Sequence, residues 1–165
     1  LELLGKIHEE LNENDKGLVQ TSLFLGIEMD PLKDNPQQGD FLIRNIMGAD
    51  RASGGIQVGA MLREGQLVQF HLRDKDMSSE DLRLVLNRYK AKEHSKKAAG
   101  ALLFSCLGRG QYLYGTPNHD SDMFRDQLGD IPLGGFFCNG EIGPVGKTTF
   151  LHGYTSSFGI FHPAH

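Results

Sequence analysis

The stretch GEIGPVGKTTF, residues 140–150, decides what kind of sheet this chain builds. Its Gly146-Lys147-Thr148 end resembles a P-loop, which would make the fold a parallel α/β sheet around a nucleotide. Spacing tells against that. The motif needs a glycine five positions before Gly146, and Glu141 stands there, with a carboxylate that would repel phosphate. A P-loop also runs into a helix whose N-terminus holds the phosphates. The residues after Thr148 read Thr149-Phe150-Leu151-His152-Gly153-Tyr154-Thr155, which is β-rich. The stretch is therefore read as a β-hairpin. With a two-residue turn at Val145-Gly146, or a loop from Pro144 to Lys147, Asn139 stands opposite His152, Glu141 opposite Phe150 and Phe137 opposite Tyr154. Alternation then puts Asn139, Glu141 and His152 on one face, and Lys147 becomes a solvated turn residue.

Outward from the hairpin, short apolar segments alternate with glycine- and proline-marked turns. LFLGIEMD (23–30), FLIRNIMG (41–48) and IQVGAML (56–62) read as strands, separated by the loop PLKDNPQQGD (31–40) and the turn DRASGG (50–55). In LVQFHLRD, Val68, Phe70 and Leu72 alternate with Gln69, His71 and Arg73, the period of an antiparallel strand with one wet face. The period then changes. Ser78 precedes Asp81 as in a capping box, and Leu82, Val85, Leu86 and Tyr89 follow at helical spacing, predicting a helix over 79–92. Its basic exit (Lys90, Lys92, Lys96, Lys97) complements the negative helix end. Residues 1–12 read as a short helix closed by the polar run after Leu11 and by Gly17. ALLFSCL (101–107) is a continuous apolar run, the mark of a buried central strand. NHDSDMFRDQLG (118–129) holds a short helix stopped by Gly129, and LGGFFCNGEIG and TFLHGYTSSFGIF are the two strands of the hairpin. Strands outnumber helices and mostly follow one another directly. The fold class is α+β: a largely antiparallel β-sheet flanked by two or three helices.

Composition narrows the function classes. At 165 residues the chain suits one domain, and its net charge of −4 gives no basic field for nucleic acid. No apolar run reaches membrane-span length, and no signal peptide is expected. Cys106 and Cys138 fit neither a CxxC motif nor a disulfide framework, so a cytoplasmic, reducing setting is the default expectation. The chain starts at Leu1 with an amphipathic pattern already running (Leu4, Ile7, Leu11), as in a segment of a longer protein. The 21 glycines imply many tight turns and close backbone approaches.

ALLFSCLGRG, PNHDS, IPLGGFFCNGEIGPVG and FLHGYTSSFGIF, with GDFLIRNIMGAD and EGQLVQFHLRD upstream, resemble the C-terminal half of the FIST family of sensory domains. The family is named for F-box and intracellular signal transduction proteins. The resemblance covers nearly the whole chain, so residues 1–165 are expected to form a single FIST C-terminal domain. It implies a cytoplasmic module that binds a small molecule, an amino acid or a derivative. It also implies as partners an N-terminal FIST half and a signalling output domain, without nucleic acid or membrane. It brings no catalytic residues, no cofactor and no metal.

The residues themselves offer a set of ligand-binding candidates: Arg109, Asn118, His119, Asp120, Asn139, Glu141 and His152. Arg109, between two glycines past a buried strand, can fork onto a ligand carboxylate or onto a structural acid. Asn118 or Asp120 is expected to cap the following helix, which leaves His119 free of that duty. Glu141, directly after an apolar segment, needs a partner: Arg109, backbone amides or a ligand. His152 is brought near Asn139 by the hairpin. The leading reading is a ligand-binding sensory module rather than an enzyme. The alternatives are a protein-interaction scaffold, or a hydrolase using either a metal held by His119, Asp120, Glu141 and His152 or a Cys106–His119 pair.

Overall fold

The computed structural model describes residues 1–92, 98–145 and 147–163. Lys96 and Lys97 of the basic exit, and Gly146 of the hairpin turn, lie outside the described residues. The chain, read above as one domain, divides into two compact units, Leu1–Asp74 and Lys75–His165. No described helix is long and apolar enough to cross a membrane.

The first unit begins with two helices, α1 (Glu2–Glu10) and α2 (Glu13–Ser22). The polar run expected to close one helix in fact opens a second. Asn12 occupies the N-cap, and its side chain accepts a bond from the Asp15 amide. Strands β1 (Leu23–Glu28), β2 (Phe41–Ala49), β3 (Ile56–Val58) and β4 (Val68–Leu72) form an antiparallel sheet in the order β3-β2-β1-β4. In the central β1, Phe24, Leu25 and Ile27 are buried in succession instead of alternating, the pattern of a strand covered on both faces. Gly26 sits under the His71 ring with no room for a Cβ, and that ring packs on Phe41 at 5.1 Å between centroids.

The second unit opens with α3 (Lys75–Lys90), which begins a turn before the expected capping box, so Ser78 lies inside the helix. Next come β5 (Gly100–Cys106), the one-turn α4 (Gln111–Tyr114), α5 (His119–Leu128), β6 (Leu133–Cys138), β7 (Glu141–Val145), β8 (Thr148–His152) and β9 (Ser156–Phe161). β5 is central in the order β6-β5-β9 and runs antiparallel to β9 but parallel to β6. The parallel pair is a strand–helix–strand crossover whose helix, α5, covers one face. Leu82 and Leu86 of α3, Ala101 of β5 and Phe124 of α5 form the core, and Phe124 stacks on Phe158 at 5.4 Å. β7 and β8 form the expected hairpin.

The segment LGGFFCNGEIG is two strands rather than one. β6 ends at Cys138, level with the end of β5, where it runs out of ladder partner. The chain then bends through Asn139-Gly140 into β7. The hairpin register accordingly pairs Glu141 with His152 and Val145 with Thr148, two residues away from the expected pairing but with the same faces.

Candidate functional site

The site lies in the second unit, at the carboxyl ends of β5 and β6. β5 delivers Ser105 and then turns through Gly108-Arg109-Gly110. The Arg109 amide bonds back to the Cys106 carbonyl at 2.9 Å. Gly110 has a φ of 64°, and a Cβ there would stand 3.1 Å from the Phe137 ring, so the turn requires glycine on two counts. The turn points Arg109 inward, where it is only 6% exposed.

Its fork closes on Asp120, also 6% exposed: Nε donates to Oδ2 at 2.7 Å and Nη2 to Oδ1 at 3.0 Å. Nη1 donates to the Tyr154 carbonyl at 3.3 Å. Ser105 Oγ and Ser156 Oγ both donate to Asp120 Oδ2. Burial alone pushes the Asp120 carboxyl up. The Arg109 bonds and charge, with the Ser156 and His119 bonds, outweigh it and hold the carboxyl at about 2. For Arg109 likewise, burial works against its charge and Asp120 more than restores it.

His119 lies against this pair. Its Nδ1 is 3.0 Å from Asp120 Oδ1 and its Nε2 is 3.0 Å from Ser79 Oγ, while its ring stacks on Tyr114 at 3.5 Å. An ionised carboxylate only accepts, so Nδ1 carries the hydrogen, and in the neutral ring Nε2 accepts from Ser79. Asn118 stands at the N-cap of α5 with φ 62°, but its side chain makes no capping bond. Asp120 is likewise occupied with Arg109 rather than with capping. Neither residue fills the expected capping role.

A cavity of about 230 Å³ opens beside the cluster. Leu103, Leu133 and Phe137 give it apolar walls, and Ser105, His119 and Ser121 give it polar points. Arg109 is not among its lining residues, because its fork is taken by Asp120.

Glu141, 3% exposed, lies elsewhere in the same network. It accepts from Thr155 Oγ1 at 2.8 Å and from the Cys138 thiol at 3.2 Å. Thr155 follows Tyr154, a non-glycine residue at φ 60° whose carbonyl receives Arg109, so the two carboxylates are tied to adjacent residues. His152 Nε2 donates to the Gly143 carbonyl, 3.1 Å away within its own hairpin, and Asn139 is exposed in the bend. The structure thus gathers Asn118, His119 and Asp120 at the cavity with Arg109 behind them, and leaves Asn139, Glu141 and His152 outside it.

Among the described residues no group of three or more His, Cys, Asp or Glu comes together that could hold a metal. Cys106 is not paired with His119. It follows Ser105 on β5 and so faces the other side of the sheet, while both His119 nitrogens are engaged. The sequence reading missed Ser79, Ser105, Thr155 and Ser156. The stretch YTSS (154–157) was an available signal for Thr155 and Ser156, and Ser79 and Ser105 carried none.

The FIST C domain family matches residues 2–144. The chain belongs to the FIST C family. It is 42% identical over 161 residues to an uncharacterised protein of Mycobacterium tuberculosis, covering 98% of this chain and 42% of that protein. Over 148 residues it is 44% identical to a second uncharacterised protein of that species, covering 90% of this chain and 38% of the relative. It is also 31% identical over 108 residues to human F-box only protein 22, covering 55% of the chain and 27% of that protein. The FIST C chain thus spans less than half the length of these relatives.

Proposed function

We propose that this FIST C chain is a small-ligand-binding module of a cytoplasmic signalling protein, not an enzyme, and that its ligand is of amino-acid size. The observation that carries this is the cavity beside His119. Its volume of about 230 Å³ is below the roughly 300–1,000 Å³ typical of drug-sized ligands. Its walls are apolar with a few placed polar groups, the composition of a recognition pocket. The Arg109–Asp120 pair supports the reading as a rigid back wall, since it fixes the His119 ring. Family membership supports the sensory role.

A thermal-shift screen of the full chain against the amino acids and their acylated and hydroxylated derivatives tests this. Ligand at a hundred times its Kd adds about 2.7 kcal/mol, a rise in Tm on the order of 10 °C for a unit of this size. Ser121→Leu, which fills the cavity from α5, should abolish the shift. No shift from any member of the panel, or an equal shift in the Ser121→Leu variant, would sink the proposal.

A second reading, a protein-interaction scaffold, is favoured by the exposure of Phe136 (64%) and Phe137 (56%) on β6. Among the described residues β6 pairs only with β5, which leaves its outer edge open to another strand. On this reading Phe136→Ser weakens pull-down of a partner while leaving the circular dichroism of the chain unchanged.

A further inference from the structure

The parallel pairing of β5 and β6 does something that the linear spacing of the two cysteines conceals. It sets Cys106 directly beside Cys138, partner to partner in the ladder. Paired residues of adjacent parallel strands point to the same face and sit about 4.8 Å apart at Cα, within the roughly 4.4–6.8 Å that a disulfide spans. Both thiols are free. Cys106 is buried and Cys138 is half-exposed. The Cys138 sulfur leans across towards β5, 3.6 Å from the Ser105 carbonyl, the residue next to Cys106. Its thiol also donates to the buried Glu141 carboxylate at 3.2 Å. Among the described residues the partners of Glu141 are Thr155 and this thiol, and none is a cation. A buried carboxylate aimed at a reachable thiol, with a second thiol in register beside it, is a poor arrangement for inert packing and a good one for thiol oxidation.

From this geometry we infer that Cys106, Cys138 and Glu141 form a reversible redox site, in which Cys138 attacks a hydroperoxide and becomes a sulfenic acid, Cys106 resolves it to a disulfide, and Glu141 handles the proton. Glu141 takes the Cys138 thiol proton as the sulfur attacks the peroxide. A sulfur–oxygen bond forms, the oxygen–oxygen bond breaks, and the departing hydroxide takes the proton from Glu141 as water. The Cys106 sulfur then attacks the Cys138 sulfenic acid. The sulfur–sulfur bond forms, and hydroxide leaves with the Cys106 proton as a second water. Both sulfurs are oxidised by one hydrogen peroxide, which is reduced to two waters. A dithiol reductant reverses the reaction by thiol–disulfide exchange. Burial, together with the Glu141 bond and charge, pushes the Cys138 thiol up. The site therefore depends on local proton transfer to Glu141 rather than on a standing thiolate. The proposal is independent of the cavity: it concerns the opposite face of the same strands.

The test is titration of the full chain with hydrogen peroxide, followed by intact mass and peptide mapping. The expected product is a monomer lighter by two hydrogens, cross-linked between the Cys106 and Cys138 peptides, and returned to the starting mass by dithiothreitol. Cys106→Ser should accumulate a sulfenic acid on Cys138 that a dimedone probe traps. Cys138→Ser should lower the oxidation rate of the remaining thiol at least tenfold. Glu141→Gln should slow disulfide formation about tenfold while leaving the circular dichroism unchanged. Should that variant misfold, the Thr155→Val chain, which keeps the carboxylate, should still form the disulfide. Sulfinic acid on Cys138 without a cross-link, or a disulfide only between chains, would overturn the proposal.

Discussion

Arg109→Leu should be among the most damaging single changes in the second unit, and its effect should depend on pH in a direction that ordinary core disruption would not produce. A carboxyl held at about 2 instead of 3.8 has its ionised form stabilised by about 2 kcal/mol. In the native chain this stability is present above the unfolded carboxyl value, near pH 4, and is lost as pH falls through about 2. Removing Arg109 deletes the fork and leaves Asp120 buried, with two serines and His119 but no cation. Breaking a buried pair in this one-sided way costs about 3–5 kcal/mol. Burial, the largest influence on this carboxyl, is then opposed only by the Ser156 and His119 bonds and should raise its pKa above the unfolded value, so the variant should gain stability from Asp120 as pH falls from 7 towards 4, where the native Asp120 contribution is flat. Arg109→Leu with Asp120→Leu removes both charges and should be more stable than Arg109→Leu by itself. Urea unfolding followed by circular dichroism at pH 7 and pH 4, with hydrogen exchange of the β5 amides to localise the change, reads all three quantities. A loss below about 1 kcal/mol at pH 7, or a double variant no better than the single, would refute the assignment of the pair as the electrostatic anchor of the site.

Three further outcomes are expected. Phe124→Ala, which empties the fully buried position between α5 and β9 and removes the stack on Phe158, should cost about 3–5 kcal/mol in urea unfolding. Gly135→Ala should cost about 3 kcal/mol or more, because Gly135 lies at φ 155° and a Cβ there runs into the Leu103 carbonyl; an unchanged midpoint would show that β6 can move away from β5 freely. His71 Nε2 finds no partner among the described residues, and burial pushes the His71 pKa down. Below about pH 6.5 the unfolded chain therefore takes up a proton that the folded first unit resists, and stability falls with pH there. Protection of the β1 and β4 amides should drop between pH 7 and pH 5 in the native chain and less so in His71→Leu, and equal drops would discount His71.

Much of this fold was legible because it rests on period and punctuation. The alternation Val68–Phe70–Leu72, the helical set Leu82–Val85–Leu86–Tyr89 and the turn before Thr148 each report a local geometry, and each element is where the pattern puts it. What was not legible is partnership. ALLFSCL states that a strand is buried on both faces but says nothing about which strand lies beside it or in which direction. Residues 118–129 mark the helix between β5 and β6, but they do not mark the crossover that makes β6 parallel to β5. The break at Asn139-Gly140 was hidden for the same reason: β6 stops where its partner stops, which is a property of β5 rather than of the residues at the break. The Arg109 fork illustrates the point at one residue. Sequence showed that it needed an acid or a ligand, and only the fold could show that Asp120 had already taken the place.

The parallel register of β5 and β6 is what distributes chemistry between the two faces of this sheet. With Ser105 beside Phe137 and Cys106 beside Cys138, one face carries the cavity, Asp120 and His119, and the other carries the two thiols with Glu141. A slip of one residue would exchange every side chain between faces, sending a thiol against the buried Asp120 and an aromatic ring against Glu141. Two features resist that slip. Gly135 permits a backbone approach to Leu103 that no other residue allows. The Arg109 fork fixes the end of β5 relative to α5, the crossover helix that sets where β6 can begin. Arg109 and Asp120, ligand candidates in the sequence, therefore also act one level lower. They hold the strand pair in the alignment on which both the cavity and the thiol pair depend.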